Sequence, residues 1–264
     1  YAVSSFDSLG ALSPNTPGDL RAYRLEDGAL LWSRNFSHVP NSWPVVGRLH
    51  GGTGLSIVLP VGSQAGMPVA MDVVGFGLVH GIPGLALGAL LGLLVGGLRC
   101  CLSRGRKWRC CRLVCLLAFA GMAIFWARHC MAVLTKDVRY QAEVWALDAE
   151  TGEVQWRWDP PPWVRHDCRG DSEGLRARLF VHGVQPVCIP NPFASATLDA
   201  NGTLYTGYMD GKVYAIRDAN VDGQVSDAEV DEHDAGAAFS HPGVAMAPGL
   251  MAIATCDTLL VFKS

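Results

Sequence analysis

"VWALDAETGEVQW", residues 144–156, decides the fold of this chain of 264 residues. Apolar and aromatic residues stand on both sides of Thr151-Gly152, a pair that suits a tight turn because glycine tolerates positive φ. The stretch therefore predicts two antiparallel strands joined by that turn, with Trp156 ending on the buried side.

Similar hairpins recur along the chain. Two segments share one spacing, in which alanine precedes glycine by six residues and tryptophan follows glycine by four: Ala22, Gly28 and Trp32, and Ala146, Gly152 and Trp156. A third copy at 199–217 uses Asn-Gly and Asp-Gly turns, and a fourth occupies 245–263. This repetition of strand, turn and strand predicts a mainly β chain built from small repeated sheets.

Two of these stretches resemble the PQQ-like repeat family of quinoprotein-type β-propellers, namely residues 144–156 and "TLDANGTLYTGYMDGKVYAI", residues 197–216. The resemblance covers roughly residues 20–65 and 140–263. With its acidic insertion before the last repeat, the chain is also similar to a group of algal proteins. We expect a small or incomplete PQQ-like β-propeller of about four or five blades, at about 40 to 45 residues per blade. The alternative is an unrelated β-sandwich.

Two long apolar stretches interrupt this β pattern. Residues 73–98 carry no charged side chain, and residues 113–134 are interrupted only by Arg128 and His129. Each stretch, as a helix, is long enough to cross the roughly 30 Å hydrocarbon layer of a bilayer. We therefore expect a transmembrane helical hairpin at 73–134, with a pair of buried core helices as the alternative.

A basic loop, residues 99–112, connects the two stretches and holds six of the 21 Lys and Arg residues. Short basic loops stay on the cytoplasmic or stromal side, so both termini belong on the translocated side. The remaining 15 basic residues (21 − 6) face 24 acidic ones, which argues against a nucleic-acid partner. We expect propeller segments at 1–72 and 135–264. Because the chain begins with Tyr1, we also expect a leader to have been removed.

Residues 218–229 have the residue order of an EF-hand calcium loop. Oxygen-bearing residues occupy loop places 1, 3, 5, 7, 9 and 12, in the order Asp218, Asn220, Asp222, Gln224, Ser226 and Glu229, and Gly223 stands at the sharp turn in place 6. In the repeat alignment, this loop replaces a shorter turn between two strands. We expect one structural Ca²⁺ here; the alternatives are a solvated acidic turn and a calcium-sensing switch.

The first apolar stretch presents a glycine at every fourth position, which places all of them on one helical face: Gly84, Gly88, Gly92 and Gly96. Such a face lets another helix approach closely, either the second span of the same chain or a helix of another protein. In a photosynthetic membrane, His80 is a candidate ligand of chlorophyll magnesium, and the alternative is a hydrogen bond across the hairpin.

Neither the motifs nor the resemblance predicts a catalytic site. The quinone-dependent dehydrogenases of the family use many more blades, so such an enzyme is the least favoured hypothesis. We expect a non-catalytic accessory or scaffold subunit of a membrane complex, whose partners are the lipid bilayer and other subunits. A photosynthetic complex of the thylakoid is favoured, and a respiratory complex or another organellar membrane is the alternative. The alternative is a lumenal sensor or assembly factor that binds client proteins. Among cysteines on the translocated side, Cys168–Cys188 is the first choice for a disulfide.

Overall fold

The computed structural model describes residues 2–5, 17–40, 42–63, 77–102, 107–134, 138–165, 167–182, 192–239 and 243–263. The chain divides into two compact units. A β unit combines Tyr1–Pro68 with Val138–Ser264, and a helical unit comprises Val69–Asp137.

Small antiparallel sheets make up the β unit. Sheet 1 contains β1 (Ala2–Ser5), β2 (Gly18–Tyr23) and β3 (Leu30–Phe36). Sheet 2 contains β4 (Val45–Gly47), β5 (Ser56–Gly62), β7 (Ala142–Asp148) and β8 (Val154–Trp158). Sheet 3 contains β10 (Thr197–Leu198), β11 (Leu204–Gly207), β12 (Lys212–Ile216) and β13 (Val230–Asp234). Sheet 4 contains β14 (Ala245–Ala247), β15 (Leu250–Ala254) and β16 (Leu259–Lys263). A separate pair joins β6 (Arg139–Tyr140) to β9 (Trp163–Val164).

The two hairpins predicted from their shared spacing both form. Ala22 pairs with Trp32 in β2 and β3, and Ala146 pairs with Trp156 in β7 and β8. The turn glycine Gly152 adopts φ +74°, the left-handed region in which a side chain is strained. Local turn chemistry therefore sets the register of both hairpins.

Sheet 2 joins the two chain segments that flank the helical unit. Strand β5, before that unit, pairs with β7, after it, from Ser56 opposite Asp148 to Gly62 opposite Ala142. The chain thus returns from the helical unit beside the point at which it left. The helical unit is an insertion between two neighbouring strands.

The four sheets stack face to face in chain order. A buried cluster between sheets 1 and 2 comprises Leu20, Phe36, Ile57, Leu59, Val61, Leu147 and Ala149. The cluster between sheets 2 and 3 includes Val58, Val144, Ala146, Trp156, Leu204, Tyr214 and Ile216. The cluster between sheets 3 and 4 includes Val213, Phe239, Val244 and Ile253. Burial of this apolar surface is the main favourable contribution to the stability of the β unit.

Side chains alternate between these clusters along single strands, as the period of two in a strand requires. In β7, Leu147 contributes to the cluster with sheet 1, whereas Val144 contributes to the cluster with sheet 3. In β12, Tyr214 contributes to the cluster with sheet 2, and Val213 to the cluster with sheet 4. Sheets 2 and 3 are thus covered on both faces, and the fold is mainly β.

Two long helices make up the described part of the helical unit, α1 (Gly77–Leu102) and α2 (Lys107–Leu134). They pack antiparallel, because Gly84 lies against Gly121 and Gly88 lies against Leu117. Within the described residues, one helical window, Cys115–Ala132, has the length and mean hydropathy, 1.5, to cross a membrane. The apolar stretch Ile82–Leu94 in α1 is shorter. The β unit also contains a short helix α3 (Asp171–Arg176) and a π-helical turn, Ala177–His182.

Candidate functional site

The predicted calcium loop connects β12 to β13 in sheet 3. Ile216 and Val230 pair directly, so residues 217–229 form one long connection between adjacent strands. A short 3₁₀ turn, Asp227–Glu229, closes the connection just before β13 begins. The loop therefore replaces a tight hairpin turn, as the repeat alignment predicts.

Side-chain oxygens in the first half of the loop accept hydrogen bonds from loop amides. The buried Asp218 carboxylate accepts the Gly223 amide at 2.9 Å and the Asp222 amide at 3.2 Å. The Asn220 carbonyl oxygen accepts the same Asp222 amide at 3.0 Å. The Asp222 carboxylate accepts the Gln224 amide at 2.8 Å. These bonds fold the chain tightly around the first three predicted ligand positions.

Glu229 closes the loop from its far end. Its Oε1 accepts the Ala219 amide at 2.9 Å and the Asn220 amide at 3.3 Å, and its Oε2 accepts the Ser226 amide at 3.0 Å and hydroxyl at 2.7 Å. The bonds from Ser226, followed by those from the two amides, lower the pKa of the Glu229 carboxyl to about 2. Glu229 therefore stays ionised at neutral pH, as a metal ligand must be.

The donor set suits Ca²⁺ chemically, since carboxylate, amide and hydroxyl oxygens are the ligands that this ion takes. Among the residues that the structure describes, no group of three or more His, Cys, Asp and Glu side chains comes together closely enough to hold a metal ion. The carboxylates are instead occupied with amides of their own loop.

Backbone strain accompanies this arrangement. Val221 adopts φ +59°, although a β-branched residue is strongly disfavoured in the left-handed region. The side chain of Val221 lies against Gly51. A Cβ added at Gly51 would be 2.7 Å from Cγ2 of Val221. Packing against the connection between β4 and β5 therefore accompanies the strained conformation of the loop.

A cleft of about 230 Å³ lies beside the loop. Its walls come from four separate segments of the chain and comprise Leu49, His50, Gly52, Gln155, Trp156, Gly202, Asp218, Val221 and Gly223. The buried Oε1 of Gln155 has no hydrogen-bond partner among the described residues. Sequence reasoning missed this neighbourhood, because only the folded stack of sheets brings the segments together.

A second polar cluster that the sequence did not indicate surrounds Glu143 of β7. The buried Glu143 carboxylate accepts Trp145 Nε1 at 2.8 Å and Ser37 Oγ at 3.3 Å, and it forms an ion pair with Arg157 at 3.2 Å. The Arg157 guanidinium also lies over the Trp145 ring, 5.1 Å from its centroid. These contacts satisfy the buried charge, so the cluster has a structural role.

In the helical unit, two of the predicted packing glycines lie against α2. A side chain at Gly84 or Gly88 would overlap the backbone of Gly121 or Leu117, respectively. Gly92 is buried. Gly96 and His80 belong to helix α1, but their surroundings lie outside the part of the structure that is described.

The predicted disulfide between Cys168 and Cys188 is wrong. Cys168 is a buried, reduced thiol whose pKa is raised, first of all by burial. Cys256, by contrast, is disulfide-bonded. Position 188 itself lies outside the described residues.

No protein-family model matches the chain, and no curated protein matches it. Among solved structures, the crystal structure of BamB from Moraxella catarrhalis matches 48% of this chain with 13% sequence identity and a TM-score of 0.28. The match spans 29% of that BamB chain. A TM-score of this size carries no argument about fold or function, so the PQQ-like relationship stays a prediction.

Proposed function

We propose that this protein is a membrane-anchored, non-catalytic scaffold subunit of a larger membrane complex. The observation that carries the proposal is the surface of the helical unit. Large apolar side chains on both long helices are between 54% and 67% exposed: Leu87, Leu90, Leu91, Leu93, Leu94, Leu116, Phe119, Ile124 and Met131. An apolar surface of this extent favours contact with lipid or with other membrane helices.

The packing between the helices supports the same proposal. Small residues occupy the contact between α1 and α2, where Gly84 lies against Gly121, while leucines point outward. A pair of helices in water buries its leucines and exposes its polar residues. The reversed pattern, with small residues inside and large apolar residues outside, is typical of helices that associate within a bilayer. We therefore propose that both helices span the membrane.

The β unit then provides the docking platform. Four small sheets stacked in chain order fit a small or incomplete β-propeller, and propeller surfaces commonly serve as binding platforms. The similarity of the repeats to algal proteins favours a photosynthetic complex over a respiratory one. In this proposal, both parts of the β unit lie on the translocated side.

The calcium loop has a structural role in this proposal. Asp218, Asp222 and Glu229 would hold Ca²⁺ together with the oxygens of Asn220, Gln224 and Ser226. The ion would neutralise carboxylates that now depend on loop amides, and it would stiffen the connection beside the cleft.

Purification under mild detergent tests the proposed role. We expect the protein to resist alkaline extraction from membranes and to co-migrate with companion subunits in constant ratio during sizing. A chain that is released by alkali would contradict the membrane anchor. A chain that stays embedded but migrates without companions would favour the sensor or assembly factor over the subunit.

Calorimetric titration of the intact chain tests the calcium site. We expect saturable binding, and we expect Glu229→Gln to weaken it about tenfold or more, because the substitution removes the bidentate carboxylate. Glu232→Gln, on the neighbouring strand β13, is the matched control and should bind as the unchanged protein does. Absence of binding at about 1 mM Ca²⁺, within the range of weak sites, would remove the site.

A further inference from the structure

The cleft beside the calcium loop carries a negative charge. Among the described residues that line it, Asp218 provides the carboxylate, and there is no lysine or arginine. Asp218 is 8% exposed, its oxygens accept the amides of Asp222 and Gly223, and no basic side chain in the described part of the chain forms an ion pair with it. An ionised carboxylate accepts about four hydrogen bonds, so about two places remain for a bound group.

Gln155 of β8 supplies a second acceptor at the cleft. Its backbone oxygen lies 3.1 Å from the place that a Cβ on Gly223 would occupy, so this part of sheet 2 is in contact with the loop. Its side-chain Oε1 is buried and has no hydrogen-bond partner among the described residues. A buried acceptor without a donor is unfavourable, and a ligand that brings an N–H group removes that cost.

The size of the cleft restricts the ligand. Its volume of about 230 Å³ is below the roughly 300 Å³ at which pockets for drug-sized ligands begin, and well above the roughly 30 Å³ of one water molecule. Leu49 and Val221 add apolar surface, which suits the alkyl part of a long side chain. The cleft therefore has the size and chemistry for one side chain that ends in a cation.

We propose that the cleft receives the guanidinium group of an arginine side chain from a partner subunit, with Asp218 and Gln155 as its acceptors. A guanidinium is always charged and presents several N–H donors in a planar fork, so it can serve a carboxylate and an amide oxygen together. That the arginine belongs to a partner, and is not a free guanidine compound, rests on the proposed docking role of the β unit. Because Asp218 is also the first position of the calcium loop, Ca²⁺ competes with the guanidinium for this carboxylate.

Nuclear magnetic resonance of the full chain in detergent, with isotope-labelled indole nitrogens, tests this binding. Trp156 lines the cleft, so its indole signal reports on a ligand there. In calcium-free buffer, the peptide acetyl-Gly-Arg-Gly-amide should shift this signal saturably, with a dissociation constant of about 1 to 10 mM. The same peptide with citrulline in place of arginine keeps the shape without the charge, and it should bind about tenfold more weakly or worse. Ethylguanidine that binds more tightly than the arginine peptide would overturn the partner's side chain as the source of the guanidinium.

Variants of the two acceptors provide the second arm of the test. Asp218→Asn should weaken binding of the arginine peptide by about tenfold or more, and Gln155→Leu by about threefold. Asp227→Asn makes the same charge change at an exposed loop position outside the cleft, so it is the matched control and should bind as the unchanged protein does. Circular dichroism checks folding, and if Asp218→Asn does not fold, Gln155→Leu and the citrulline peptide decide.

Three results would overturn the arginine site. They are a Trp156 signal that does not shift at about 100 mM peptide, equal binding of the arginine and citrulline peptides, and equal binding by Asp218→Asn and Asp227→Asn. Each leaves the membrane scaffold standing, because that role is tested by extraction and co-migration. Conversely, a protein that migrates without companions leaves guanidinium binding by the cleft intact.

Discussion

His38 is a buried histidine whose Nδ1 has no hydrogen-bond partner among the described residues. Burial lowers the pKa of its imidazole, and the nearby Glu143 carboxylate opposes that shift without reversing it. The folded protein is therefore more stable with a neutral His38 imidazole than with a charged one.

This shift predicts how stability depends on pH. The unfolded chain protonates His38 at pH values near its ordinary pKa of 6.5, whereas the folded chain does so only at lower pH. The contribution of His38 to the free energy of unfolding is thus fully present above pH 6.5. It is lost as the pH falls from 6.5 through the lower pKa of the folded protein. We expect His38→Leu to flatten this part of the profile, as measured by urea unfolding at several pH values.

The exposed His50 provides the matched control. His50→Leu should keep the pH dependence of the unchanged protein. Equal slopes for the unchanged protein and His38→Leu between pH 7 and pH 5 would contradict a lowered pKa at His38.

At the scale of elements, the turns that join strands determine how the sheets meet. Gly202, between β10 and β11, has φ +78°, and a Cβ there would overlap the backbone amide of His50. Gly28, between β2 and β3, has φ +71° with nothing within 4 Å of an added Cβ. Gly54 has open space and no positive φ. Gly54 therefore has neither effect, Gly28 has backbone strain alone, and Gly202 has backbone strain together with steric overlap.

Alanine substitutions at these glycines should therefore form a graded series. We expect Gly54→Ala to change the free energy of unfolding by less than about 0.5 kcal/mol. Gly28→Ala should cost about 1 kcal/mol through strain, and Gly202→Ala about 3 kcal/mol or more because the connection before β5 must also move. Urea unfolding measures all three, and equal costs at Gly28 and Gly202 would contradict the close contact.

Helix packing offers a second comparison between elements. Gly88→Val should destabilise the helical unit by about 1 kcal/mol or more, because the added side chain overlaps Leu117 on α2. Ala86→Val, at an exposed position two residues away, is the matched control and should have little effect. Thermal melts of the helical circular-dichroism signal in detergent measure both, and equal melts would contradict the glycine contact.

The sequence predicted the features that depend on nearby residues. The Thr151-Gly152 pair predicted a hairpin, because a tight turn needs a glycine at that place. The prediction that the loop 218–229 connects two strands was also confirmed. Contacts between distant segments could not be predicted in this way. The cleft beside Asp218 depends on His50 and Gln155, and no local pattern connects them. Disulfide partners likewise depend on the fold, which is why Cys168 was paired incorrectly.

At the scale of the whole molecule, the pairing of β5 with β7 restricts the topology. Gly62 and Ala142 are direct strand partners on either side of the helical unit. If the helical unit crosses a membrane, it must therefore cross an even number of times. Two crossings by α1 and α2 meet this condition, and the basic residues 99–112 then lie on the face opposite to the β unit.

Protease protection in sealed membrane vesicles tests this topology most directly. We expect protease added to one face to cut within residues 99–112 and to leave the β unit intact. After the vesicles are opened, residues 20–60 and 140–260 should become accessible together. Cleavage of the basic residues and of the β unit from the same face of sealed vesicles would contradict the membrane-spanning account.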